Sequence, residues 1–78
     1  MEERIIKVIC DINEDIQFFE GDNLFDAGLL DSFSVIELVG ALEEEFDIDI
    51  DAEYVVEENF RSKDSIIRLV VSLINKLN

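Results

Sequence analysis

The chain has 78 residues, of which 20 are acidic and 6 basic, so its formal net charge at pH 7 is −14. A charge of this sign repels nucleic acid and anionic membrane surfaces, and it predicts basic protein partners. Hydrophobic residues make up 49% of the chain, which is too many for the charge-dominated composition of intrinsic disorder. We therefore expect residues 1–78 to fold as a single domain.

The sequence contains no histidine and a single cysteine, Cys10. One cysteine provides no internal disulfide, zinc site or redox pair, which favours a reducing, cytoplasmic setting. The apolar runs are far shorter than the ~18–20 residues that span a bilayer. We expect neither a signal peptide nor a membrane span, and the lack of histidine argues against a Ser-His-Asp enzyme.

Apolar residues near the N-terminus recur at steps of three and four, at Ile5, Val8, Ile9, Ile12 and Ile16. This period predicts a first amphipathic helix over residues 3–17. In residues 18–30 the period fails and turn-forming residues surround two glycines, which predicts one long ordered loop. Four apolar side chains of this loop are expected to fold back onto the core: Leu24, Phe25, Leu29 and Leu30.

A second helix is predicted to begin at Ser32, with Asp31 as its N-cap, and to end near Phe46 or Asp47. Its buried stripe is predicted to consist of Val35, Leu38, Val39, Leu42 and Phe46. Residues 47–51 then alternate apolar and acidic side chains, but the sequence offers no second strand for them to pair with. We expect an extended link whose isoleucines point inward.

A short third helix or a single turn is predicted within residues 54–60, and Ser62 is a candidate cap for a fourth helix. The buried stripe of the fourth helix is predicted to be Ile66, Leu69, Val70, Leu73 and Leu77. Three longer helices and one short helix predict an all-α fold, a small antiparallel bundle with a long loop between its first two helices. The alternative is a helical hairpin that folds only as a dimer, but the absence of a sustained heptad repeat favours a monomeric bundle.

The second helix also carries residues that its buried stripe does not require. A helical wheel places three of them about 100–160° from the stripe, with three glutamates around them. Acidic residues steer a basic partner, and a small apolar patch supplies contact energy. We therefore predict a docking face beside Ser32, formed by Phe33, Ile36, Glu37, Gly40, Glu43 and Glu44.

Ser32 stands where the long loop ends and the second helix begins. A serine hydroxyl is a weak nucleophile without an adjacent base, and this chain has no histidine to act as one. The position therefore favours a serine that is modified by another protein over a serine that catalyses.

These residues resemble the acyl carrier proteins and their relatives, the peptidyl and D-alanyl carriers. The resemblance covers nearly the whole chain and is most specific at the Asp31-Ser32 pair, in residues 43–48 and in residues 58–60. It implies that Ser32 receives a 4′-phosphopantetheine arm from coenzyme A, added by a separate phosphopantetheinyl transferase. The thiol of that arm would carry an acyl or aminoacyl group as a thioester.

The resemblance also implies roles for the neighbours of the serine. Asp31 would help to place magnesium in the transferase complex, and the residues of the docking face fall at partner-recognition positions of the family. The chain itself would then have no catalytic residue and no metal site. Its partners would be the transferase, together with acyl-activating ligases or acyl-transfer and synthase enzymes that have basic docking surfaces.

Two cargoes are compatible with this resemblance. Our first expectation is a freestanding acyl carrier for fatty-acid or related acyl biosynthesis, because residues 43–48 resemble the fatty-acid type. The alternative is a D-alanyl or another aminoacyl or peptidyl carrier, because Phe33 follows the serine where the fatty-acid type usually has leucine. The pathway stays open at this point.

Two further kinds of binding protein compete with a carrier. A small acidic interaction or inhibitor protein would use the same charge without needing Ser32. Calcium binding is suggested by four acidic residues between positions 47 and 53, but the segment lacks the central glycine of an EF-hand loop. We expect a charged link there.

Overall fold

The computed structural model describes the backbone of residues 1–77 and the side chains of residues 1–76. Within these residues no strand occurs, and the chain is all-α as predicted, a small helical bundle. The helices are α1 (Glu2–Ile12), α2 (Ser32–Phe46), α3 (Glu57–Phe60) and α4 (Lys63–Leu77), with 3₁₀ turns at Glu14–Phe18 and Ala52–Tyr54. In this part of the chain, no helix combines the length and the apolar character needed to cross a membrane.

The helix directions follow from two contacts between helix ends. At the start of α1, Arg4 Nη2 lies 2.8 Å from Glu45 Oε2 near the end of α2. Lys63 Nζ, at the start of α4, donates to the carbonyl oxygen of Gln17, just beyond the end of α1, at 3.5 Å. α1 therefore runs antiparallel to both α2 and α4, so the starts of α2 and α4 share one end of the bundle.

α1 ends earlier than the apolar period predicts. Asn13 is extended, with φ −152° and ψ 109°, and its Oδ1 accepts a hydrogen bond from the Asp15 N–H at 3.0 Å. Its Nδ2 also donates to the carbonyl oxygen of Leu29 at 3.2 Å, so Asn13 caps a new 3₁₀ turn and ties it to the long loop. The prediction of one helix over residues 3–17 is wrong, although Ile16 is fully buried as the period requires.

The core contains apolar residues from α1, α2, α3, α4 and the segments between them. Most residues of the predicted stripes are buried: Ile5, Val8, Ile9, Ile16, Val35, Leu38, Leu42, Ile66, Leu69, Val70 and Leu73. Others of the predicted stripes are half-buried against the core: Ile12, Val39 and Phe46. In the long loop, Leu24 and Leu30 are buried while Phe25 and Leu29 are half-buried. The predicted burial of Leu77 falls outside the described side chains.

The segment after α2 forms neither helix nor strand over residues 48–51, as expected for a link. α2 ends at Phe46, and the left-handed backbone of Asp47, with φ 53° and ψ 48°, turns the chain out of the helix. Ile48 and Ile50 are both buried, which confirms that the isoleucines of the link point inward. Further on, Ser62 Oγ accepts a hydrogen bond from the Ser65 N–H at 3.1 Å, which confirms Ser62 as the cap of α4.

Candidate functional site

Ser32 is the first residue of α2, and its side chain is exposed. The cap of this helix is supplied by Asp31, whose backbone is extended and whose Oδ1 accepts a hydrogen bond from the Ser34 N–H at 2.8 Å. A helix N-terminus needs such an acceptor because its first N–H groups have no partner within the helix. Because Asp31 meets that need, the hydroxyl of Ser32 is not required to start the helix.

The charge of Asp31 is set by the same contacts. The hydrogen bond from the Ser34 backbone, together with one from the Ser34 side chain, lowers the pKa of the exposed Asp31 carboxyl below its usual value of 3.8. The N-terminal end of α2 also favours a negative charge there. Asp31 is therefore ionised at neutral pH, the form in which a carboxylate binds magnesium.

The long loop holds this junction in place through backbone hydrogen bonds. The Leu24 N–H donates to the carbonyl oxygen of Arg61 at 2.6 Å, and the Leu24 carbonyl accepts from Leu29 and Leu30 at 2.9 and 3.3 Å. Gly28 has a φ of +76°, in the left-handed region that favours glycine. The loop is thus an ordered connection that determines where Ser32 stands.

A groove of about 420 Å³ opens beside Ser32. One wall is formed by α2 and the other by the segment that leads into α3, and we call the cavity the Ser32 groove. It is lined by Phe25, Ser32, Val35, Ile36, Val55, Val56 and Glu57. The sequence analysis missed Val55 and Val56, for which the only signal was an apolar pair just before the third helix. The groove gives an extended, partly apolar ligand a surface to lie against.

The structure places five residues of the predicted docking face on the exposed side of α2. Phe33 and Ile36 are 71% and 68% exposed, which is unusual for side chains of that size. Glu37 and Glu44 are exposed as well, and a Cβ added at Gly40 would point into open space. An acidic, partly apolar surface therefore runs along α2 from Ser32.

Glu43 differs from the other residues predicted for this face. It is half-buried, and its Oε2 accepts a hydrogen bond from the Ile50 N–H at 3.0 Å. Its carboxylate is thus engaged by the link that follows α2.

Among the described residues, no group of three or more acidic, cysteine or histidine side chains is arranged to hold a metal ion.

Comparison with known proteins identifies the family. The family model for the phosphopantetheine attachment site matches residues 3–70. The chain belongs to this family of carrier proteins. Its relatives include D-alanyl carrier proteins from Streptococcus suis, 33% identical over 76 residues and 96% of each chain, and from Streptococcus mutans, 32% over 72 residues and 91% of each chain. Another D-alanyl carrier protein, from Lactobacillus acidophilus, is 30% identical over 73 residues and 92% of each chain.

The cofactor of this carrier is a covalently attached 4′-phosphopantetheine. The residues at the start of α2 fit that group in two respects. The Ser32 side chain is exposed, so its oxygen is accessible to a phosphoryl donor. The adjoining Ser32 groove has several apolar side chains in its walls and gives a long flexible arm a surface to lie on. When bound, the group supplies a thiol that forms thioesters.

Proposed function

We propose that Ser32 carries the phosphopantetheine arm. Support comes from its exposed position at the first turn of α2, directly after the ionised Asp31 and beside the Ser32 groove. Ser32 Oγ would form a bond to a phosphorus of coenzyme A, the pyrophosphate bond would break, and adenosine 3′,5′-bisphosphate would leave. The hydroxyl proton would pass to a base of the transferase, since this chain has no histidine.

Asp31 is proposed to act with the transferase as a ligand of magnesium. The carboxylate next to the reacting hydroxyl remains ionised because of its contacts with Ser34. A divalent cation between this carboxylate and the pyrophosphate would neutralise the charge that develops on the phosphoryl oxygens. The capping bond and the metal role are compatible because a carboxylate has two oxygens.

The exposed side of α2 is proposed to bind partner enzymes. Glu37 and Glu44 attract a basic surface, while Phe33 and Ile36 offer apolar area that is desolvated on contact. A carrier must bind several enzymes in turn, which suits a small surface with steering charge. The partners proposed are the transferase and a ligase or synthase with a basic docking surface, all in the cytoplasm.

For the cargo we propose an aminoacyl group of the D-alanyl kind, carried as a thioester. This is the second of the two cargoes compatible with the sequence, and its support is the similarity to three D-alanyl carrier proteins over more than nine-tenths of each chain. Phe33, directly after the serine, agrees with it. The fatty-acyl expectation, which rests on residues 43–48, becomes the competing proposal.

The cargo is tested by loading the arm-bearing carrier in two parallel reactions. One contains a D-alanine-activating ligase with ATP and D-alanine, and the other contains an acyl-activating ligase with ATP and fatty acids of graded length. Intact-mass measurement before and after hydroxylamine treatment distinguishes a thioester from other adducts. We expect a hydroxylamine-sensitive D-alanyl adduct, formed at a higher rate than any fatty-acyl adduct. Faster fatty-acyl loading would favour the competing proposal.

A further inference from the structure

Glu43 contacts the segment after α2 through both its side chain and its main chain. Its Oε2 accepts from the Ile50 N–H at 3.0 Å, and its carbonyl oxygen accepts from the Ile48 N–H at 3.3 Å. Glu44, the next residue on the helix, is exposed and belongs to the docking face. Two adjacent glutamates of α2 therefore have different environments.

The link of residues 47–51 depends on such contacts. Its residues 48–51 are not helical and no strand lies beside them in residues 1–77, so their amide groups lack the partners that a sheet would provide. Ile50 is only 7% exposed, which places its backbone next to the core. An N–H that loses its partner in such a position costs free energy, and a bond to a carboxylate is stronger than one to a neutral acceptor. The Glu43 carboxylate therefore helps to determine where Ile50 sits.

A short 3₁₀ turn connects Ile50 to the wall of the Ser32 groove. Asp51 follows directly, and its carbonyl oxygen accepts from the Tyr54 N–H at 2.9 Å to close a 3₁₀ turn. The Val55 N–H then donates to the Ala52 carbonyl at 3.0 Å. Val55 and the residue after it form the wall of the groove that faces α2.

We infer that Glu43 is a positioning residue, which ties the far wall of the Ser32 groove to α2 through the Ile50 amide. Glu43 stands on α2, the helix that also supplies Val35 and Ile36 to the near wall. The bond at Ile50 thus fixes the two walls relative to each other. Because the groove matters only to a carrier that is loaded at Ser32, this role rests on the proposed function.

The test compares glutamine and alanine at position 43 with the same pair at position 44. Glu43→Gln removes the charge but keeps an oxygen that accepts from Ile50, whereas Glu43→Ala removes both. Glu44→Gln and Glu44→Ala remove the same charge from an exposed side chain. The difference between glutamine and alanine at position 43 therefore isolates the hydrogen-bond acceptor. Each Glu44 variant, compared with wild type, measures the effect of removing a charge from α2.

The first readout is amide hydrogen exchange. The Ile50 amide should exchange roughly 5-fold faster in Glu43→Ala than in Glu43→Gln, because one hydrogen bond of ordinary strength is lost. Amides in the interior of α2 should keep their protection in both variants, which shows that the fold is retained. Neither Glu44 variant should change exchange at Ile50.

The second readout is the initial rate of phosphopantetheine transfer. Glu43→Ala should be modified several-fold more slowly than Glu43→Gln, whereas the two Glu44 variants should have equal rates. Equal rates for the two Glu43 variants, or equal exchange at Ile50 in both, would overturn the inference. A wild-type carrier that accepts no arm would refute the proposed function instead, and the exchange experiment separates the two failures.

Discussion

The carboxylate of Asp31 accepts a hydrogen bond from the Ser34 N–H at 2.8 Å, directly beside the exposed Ser32. This contact starts α2 and also keeps the carboxyl ionised, because it lowers the pKa of Asp31. One side chain thus stabilises the helix and places a negative charge next to the hydroxyl that we propose as the attachment point.

Replacement of Asp31 by asparagine should change how stability depends on pH. The folded pKa lies below the usual 3.8, so the unfolded chain binds a proton first as pH falls. The stabilisation by the carboxylate is fully present above pH 3.8 and is lost as pH falls through the pKa of Asp31 in the folded state. Asparagine caps well but does not titrate. Thermal unfolding from pH 7 to 3 should give a difference between wild type and Asp31→Asn that shrinks below pH 3.8, and a constant difference would contradict this.

Alanine at Gly28 and at Gly40 should have opposite effects on the free energy of unfolding. Both positions have open space where a Cβ would stand, so clashes do not contribute. Gly28 has a φ of +76°, and a left-handed alanine is destabilising by about 1 kcal/mol. Gly40 lies inside α2, where alanine stabilises by roughly 0.5–1 kcal/mol. Urea denaturation measures both, and changes of the same sign would be inconsistent with the backbone described.

Charge reversal on the docking face should slow the transfer of phosphopantetheine in a salt-dependent way. Glu37→Lys and Glu44→Lys replace exposed steering charge on α2, so their rates should fall most at low ionic strength and approach wild type as salt screens the field. Glu3→Lys changes an exposed residue of α1 that lies outside the docking face, makes the same change in net charge and is the matched control. If it slows transfer equally at low salt, the docking face is assigned to the wrong surface.

The apolar periods predicted the buried faces of the helices because burial of apolar area is the main contribution to their packing. They did not predict the end of α1, because Ile16 stays buried when Asn13 interrupts the helix. The polar side chain of Asn13 bonds to the backbone of Asp15 and of Leu29, and only the first of these contacts is local. The sequence Asn13-Glu14-Asp15 was the available signal that a new helical turn begins there.

The proposed attachment serine and its cap are local features, so both Ser32 and Asp31 could be singled out from the sequence. The far wall of the Ser32 groove and the contact of Glu43 with Ile50 depend on how the link turns back along α2. A helical wheel places Glu43 on the outer face but contains no information about a segment that folds over it. Such contacts between elements can be identified only in the folded structure.

Attachment of the arm to Ser32 is the central claim, and intact-mass spectrometry tests it most directly. Wild type, Ser32→Ala and Ser34→Ala would each be incubated with coenzyme A, magnesium and a broad-specificity phosphopantetheinyl transferase. Ser34→Ala is the matched control because it removes a hydroxyl from the same turn of α2 but keeps the Ser34 backbone N–H that donates to the Asp31 cap. Wild type and Ser34→Ala should gain the mass of one arm while Ser32→Ala gains none and keeps its helical content. An unmodified wild type, or a modified Ser32→Ala, would contradict the account.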